Sequence, residues 1–279
     1  MNGLSSLHPL TALLLGAVAV LGRVLLDLLL GIEAGEVWQR GIEALCGAVV
    51  VMVALQFSAG DPPRRPWGLL AVAMALVPVI RLVSHLGLAL GDIKLAHLLL
   101  IGSNIFMAAS MIGFGRVLGS SELLSDRTSE DRVRATAFVG LLAVTALALI
   151  GYNTFELAER GLPVGAGAWV AVTASTLSTL SDALVSAGGL YLLWLLRPLI
   201  GGSLARPYLL LAVGAAAFLA VDIFLVAAGA TTQTELIGTD LRTLLPKWLG
   251  CLAFTSYALA AATQIALLRS ARRSVERRL

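Results

Sequence analysis

Eight stretches of this chain are too long and too apolar to be ordinary core segments: about 9–31, 41–59, 67–90, 94–116, 133–157, 168–197, 206–229 and 246–269. About 20 mostly apolar residues cross the roughly 30 Å hydrocarbon layer as a helix. Backbone groups in lipid must be satisfied within the segment, and these runs exceed the length of a barrel strand, so each is expected to be a transmembrane helix. The expected fold is therefore all-α, a polytopic bundle of eight spans. Composition agrees. Hydrophobic residues make up 58% of the 279 positions and charged residues 13%, against roughly 45–50% and about 25% in soluble domains. A soluble enzyme, a disordered chain and a disulfide-rich secreted domain are excluded. The N-terminal run lacks a basic start and a small-residue cleavage site, so it reads as a retained first span.

Orientation comes from Lys and Arg. One set of connections holds 13 of them: Arg64, Arg65, Arg116, Arg127, Arg132, Arg134, Arg197, Arg206, Arg269, Arg272, Arg273, Arg277 and Arg278. The alternate set holds 5: Arg40, Lys94, Arg160, Arg242 and Lys247. The positive-inside rule then places both termini in the cytoplasm of a bacterial-type inner membrane, and an even span number requires termini on one side. The net charge of +3 is a topology signal and does not point to nucleic acid. The tail at 270–279 is rich in arginine and suits anionic lipid. Trp38 and Trp169, in outer connections, suit the interfacial belt.

The polar stretch 117–132 divides the chain into 1–116 and 133–269, each with four expected spans. The halves resemble one another. Residues 94–116 align without gaps on 247–269, with identities at Lys94/Lys247, Leu99/Leu252, Ser103/Ser256, Ala108/Ala261, Ala109/Ala262, Ile112/Ile265 and Arg116/Arg269. Asp27 corresponds to Glu156, Glu43 to Asp182 and Arg81 to Asp222, and PWGLL to RPYLL. A tandem repeat of four spans keeps its orientation, so its symmetry axis would lie along the membrane normal.

Ionisable groups inside spans are costly and face the protein interior or a wet cavity. Arg23 and Asp27 are four residues apart and share a helix face, as do Arg81 and His85. At 1.5 Å per residue, Arg23 lies roughly 12 Å and Arg81 roughly 15 Å below the outer boundary. His85 and Asp222 lie about 10 Å below it and Asp27 about 6 Å. Glu43, Glu156 and His97 fall near outer ends, and the inner half is almost purely apolar. The 168–197 segment aligns Ser175, Ser178, Thr179, Asp182 and Ser186 on one face, as either a tight helix seam or a polar pathway wall.

The expected site is the outer-half cluster Arg23, Asp27, Arg81, His85, Asp182 and Asp222, with Ser178 and Thr179. It would bind or translocate a small solute, a cation or a proton. Two other classes fit the same residues. One is a non-transporting sensor or subunit of an envelope complex. The other is a redox protein using His85 and His97, which flank a tight hairpin and are weak candidates for a metal or an axial haem ligand. No cofactor is expected, since HExxH, CxxCH and GxSxG are all missing from the sequence. The lone cysteines, Cys46 and Cys251, read as buried small hydrophobes.

Overall fold

A computed structural model of the chain describes residues 9–119, 163–197, 202–229, 235–236 and 239–276, with isolated helical positions between 140 and 151. The elements are α1 (Pro9–Leu29), α2 (Ile32–Gln56), α3 (Arg64–His85), β1 (Ala89–Leu90), β2 (Ile93–Lys94), α4 (Leu95–Gly119), α5 (Ala166–Leu195), a short 3₁₀ turn (Ser203–Ala205), α6 (Arg206–Gly229), β3 (Glu235–Leu236), β4 (Thr239–Asp240) and α7 (Leu241–Glu276). Among the described residues, six helical stretches are long and apolar enough to cross a membrane: Ile32–Gln56, Arg64–His85, Leu95–Gly119, Ala166–Leu195, Ser203–Phe224 and Thr243–Ser274. The protein is an all-α, multi-pass membrane protein. Most of the expected span at 133–157 and most of the 117–132 linker lie outside the described residues.

Six helices close a ring in the order α2, α3, α4, α5, α6, α7 and back to α2, while α1 lies against α2 and α7. The ring's core is apolar and closely packed, and many of its members gather at the end where α2 meets α3 and α5 meets α6. Phe57, Trp67, Phe114, Leu192, Leu196, Ala205 and Tyr208 are all buried there. Trp67 and Tyr208 both pack edge-on against Phe114, with ring centroids 5.2 and 5.8 Å away. Offset edge-to-face packing of this kind adds to the apolar burial. At the same end, Arg272 of α7 donates to the side-chain and backbone oxygens of Gln56.

Two helices begin in the same way. Gly31 precedes α2 with φ 90° and ψ 167°, and Gly165 precedes α5 with φ 88° and ψ 159°. Positive φ at this ψ is open essentially to glycine alone, so the sequence permits these abrupt starts only where a glycine stands. The α3–α4 and α6–α7 connections are alike too. Each is a two-stranded antiparallel hairpin, β1 with β2 and β3 with β4.

Several boundaries differ from the hydropathy reading. α2 begins at Ile32, well before residue 41, because Glu33, Glu36 and Arg40 lower the hydropathy without breaking the helix. Trp38, expected in an outer connection, lies inside α2 and donates its indole N–H to the Ala19 carbonyl at 2.8 Å. α3 ends at His85 and gives way to the hairpin, although the apolar run continues to residue 90. α7 continues to Glu276, so the basic segment from residue 270 extends that helix.

Candidate functional site

Among the described residues, the charges buried within the helices fall into two groups. The first is a hydrogen-bonded chain through α1, α2, α3 and α7. Arg23 Nε donates to Asp27 Oδ2 at 2.8 Å, the one-turn contact their spacing implies. Arg23 Nη1 donates to the Gly35 carbonyl and, at 3.1 Å, to Gln39 Oε1. Gln39 Nε2 passes the chain on to Glu43 Oε1 at 3.0 Å. Arg81 reaches across from α3 and grips Glu43 through Nε and Nη2. Trp248 Nε1 caps the far end by donating to Asp27 Oδ2 at 2.8 Å.

This chain is electroneutral, with two guanidinium groups and two carboxylates. Arg23 is fully buried and Glu43 is 1% exposed. Buried ions are tolerated only when paired and hydrogen-bonded, and here each has a charged partner. Gly35 makes the arrangement possible, since a Cβ at that position would overlap Asp27 Oδ1 and crowd Arg23 Nε. Beside the chain, Lys247 Nζ meets Glu36 Oε1 at 2.6 Å, with both side chains partly exposed.

The second group is the pair Asp182 on α5 and Asp222 on α6. They are electrostatic neighbours on helices that pack directly together. Among the described residues neither forms a salt bridge, and Asp222 Oδ2 is buried with no hydrogen-bond partner. Tyr257 of α7 is fully buried, its hydroxyl has no partner, and it lies within electrostatic reach of both Asp182 and Cys46 of α2. Asn104 of α4 has a buried, unpartnered Nδ2, and its carbonyl accepts a hydrogen bond from Ser181 at 3.0 Å, beside Asp182.

The structure thus joins Arg23, Asp27 and Arg81 in one chain and sets Asp182 and Asp222 together elsewhere in the ring. Thr179 is buried and Ser178 half-buried on α5. His85 is the exposed last residue of α3, and His97 is half-buried in α4 with Nδ1 unpartnered. Among the described residues no three His, Cys, Asp or Glu side chains gather as metal ligands. Glu156 lies outside the described residues. Sequence reasoning passed over Gln39, Asn104, Ser181, Trp248 and Tyr257. The spacing Gly35, Gln39, Glu43 was the available signal for one of these, a polar stripe on successive turns of one helix.

The two helix crossings share a register. Gly47 follows Glu43 by four residues and Met74 precedes Arg81 by seven. A Cβ at Gly47 would sit 3.1 Å from the Met74 carbonyl oxygen. Ser186 follows Asp182 by four and Ala215 precedes Asp222 by seven. Ser186 Oγ donates to the Ala215 carbonyl at 2.7 Å. Comparison with protein families, with characterised proteins and with solved structures finds no match.

Proposed function

We propose that the protein is built from two tandem four-helix units with both termini in the cytoplasm of an inner membrane, and that it binds and translocates a cation or proton through the outer half of the bundle. Three parallels support the repeat. They are the matching glycine starts of α2 and α5, the hairpins at equivalent connections, and the shared register of the α2–α3 and α5–α6 crossings. The ring order is also unchanged when the units are exchanged, α2 for α5, α3 for α6 and α4 for α7.

One observation carries the functional reading. Two arginines neutralise Asp27 and Glu43, so among the described residues the unpaired negative charge within the helices rests on Asp182 and Asp222, which have no described cationic partner. Carboxylates in that setting require a bound cation or protons. Arg23, Asp27, Gln39, Glu43 and Arg81 then form the scaffold, and Asp182 and Asp222 the exchangeable site.

Reconstituted protein should carry cation or proton flux that Asp182→Asn abolishes while the variant stays folded. Equal flux from wild type, variant and empty vesicles would refute transport. The neutral, hydrogen-bonded chain through Arg23 and Arg81 favours the second reading, a non-transporting sensor or envelope subunit in which buried polar contacts fix the packing. Under that reading Asp182→Asn alters only stability or partner binding.

A further inference from the structure

The two crossings share a register and differ in the side chains at the level of the charges. In the first, Glu43 faces Arg81. In the second, Asp182 and Asp222 stand at the positions that this register matches to Glu43 and Arg81. Both differences remove atoms from the same place. Aspartate is one methylene shorter than glutamate, and an arginine carries Cδ, Nε and its whole guanidinium head beyond the Cγ at which an aspartate ends. The second crossing therefore has a carboxylate on each side and lacks the planar cation that fills the first. Both aspartates are half-buried as residues, and Asp222 Oδ2 itself is fully buried. Asp222 Oδ2, Tyr257 Oη and Asn104 Nδ2 are buried polar atoms without partners, a condition native interiors rarely keep unless something else satisfies them.

We propose that the Asp182–Asp222 pair holds a small monovalent organic cation of the guanidinium type, in the position that the Arg81 head occupies in the first unit. This rests on reading the pair as a cation site and names its ligand class. The first unit supplies the template. There one guanidinium presents Nε and Nη2 to the two oxygens of a single carboxylate at 3.2 and 3.0 Å, the two-point geometry that a planar fork offers and a spherical ion does not. In the second unit a soluble guanidinium can pair with Asp182 in the same way and turn its remaining N–H groups to Asp222. Tyr257 Oη is available as a further acceptor.

The test is thermal unfolding of the purified full-length protein in detergent, titrated with millimolar methylguanidinium chloride, methylammonium chloride or sodium chloride at constant ionic strength. Ligand that binds only the folded state raises the midpoint with concentration. The expected result is a saturable rise with methylguanidinium, about ten-fold weaker or more in Asp182→Asn and in Asp222→Asn. Asp222→Arg should restore the arrangement of the first unit, raising the midpoint of the unliganded protein and removing the response. Should that variant not fold, the two asparagine variants decide. A wild-type response that persists in both asparagine variants, or no response to methylguanidinium, overturns the proposal. A response to sodium or methylammonium that needs both aspartates, with none to methylguanidinium, overturns the ligand class and keeps the cation site. No aspartate-dependent response to any of the three, together with no flux, removes the site as well.

Discussion

Arg81 and Glu43 meet across the α2–α3 crossing through two hydrogen bonds, Nε to Oε2 at 3.2 Å and Nη2 to Oε1 at 3.0 Å. The pair is asymmetric in its surroundings, for the glutamate side chain is 1% exposed and the arginine side chain 52%. Removing the arginine strands a buried carboxylate, whereas removing the carboxylate leaves a cation that can find solvent or a headgroup. Breaking a fully buried pair costs about 3–5 kcal/mol, and the exposed arginine end lowers that figure. Arg81→Ala is therefore expected to cost roughly 1–3 kcal/mol. Arg81→Ala in a Glu43→Gln background should cost clearly less. Equilibrium unfolding of the four proteins of this double-mutant cycle checks the pair, and strict additivity would show that the contact carries no coupling.

Two glycines of α2 separate a helix-propensity effect from a packing effect. Gly41 has open space where a Cβ would go, and Gly35 has the Arg23–Asp27 pair there. Gly41→Ala should stabilise by about 0.5–1 kcal/mol, the usual gain from replacing a mid-helix glycine. Gly35→Ala should destabilise by roughly 1–3 kcal/mol, because buried hydrogen-bonding groups are pushed apart. Opposite signs in the same unfolding assay are the expected outcome, and a stabilising Gly35→Ala would contradict the described geometry.

The sequence made the helical segments and the local pair legible and left the long-range partners hidden. Arg23 and Asp27 bond because residues four apart on a helix face one another, which needs no tertiary knowledge. Arg81 and His85 have the same spacing, yet His85 ends α3 and is exposed, while Arg81 turns to α2. Spacing shows who can meet along one helix. It does not show which neighbour lies across a crossing. Glu43 looked peripheral because hydropathy marks where a helix enters hydrocarbon, and α2 starts earlier, at Ile32. That places Glu43 about three turns inside the helix. Tyr257 and Asn104 escaped notice because one polar group in an apolar run carries no periodic signal.

Topology gives a prediction independent of the charges. Gln56 and Arg272 are bonded, so the α2–α3 connection and the end of α7 lie on one side, and the α3–α4 hairpin lies at the opposite end of α3. In a background lacking Cys46 and Cys251, Asp61→Cys and Ser274→Cys should react with an impermeant thiol reagent only from the cytoplasmic face. Asp92→Cys should react only from the outer face. The reverse pattern would overturn the orientation drawn from the Lys and Arg distribution.

Tyr257 distinguishes a structural hydroxyl from a functional one. Its ring stacks near Phe218 at 5.9 Å and crowds Gly214, and phenylalanine would keep that packing. Its hydroxyl is buried with no partner, and such a group costs about 1–3 kcal/mol relative to a satisfied one. Tyr257→Phe should thus leave stability unchanged or raise it by up to about 1 kcal/mol. A hydroxyl kept for packing alone would have no other consequence. If it faces cargo at the aspartate pair, the same variant should weaken cation binding several-fold while Asp182 and Asp222 remain in place. Unfolding and cation titration on one preparation measure both effects. A variant that is stable and binds as wild type does would detach Tyr257 from the site, and one that loses stability would reveal a hydrogen bond that the structure does not contain.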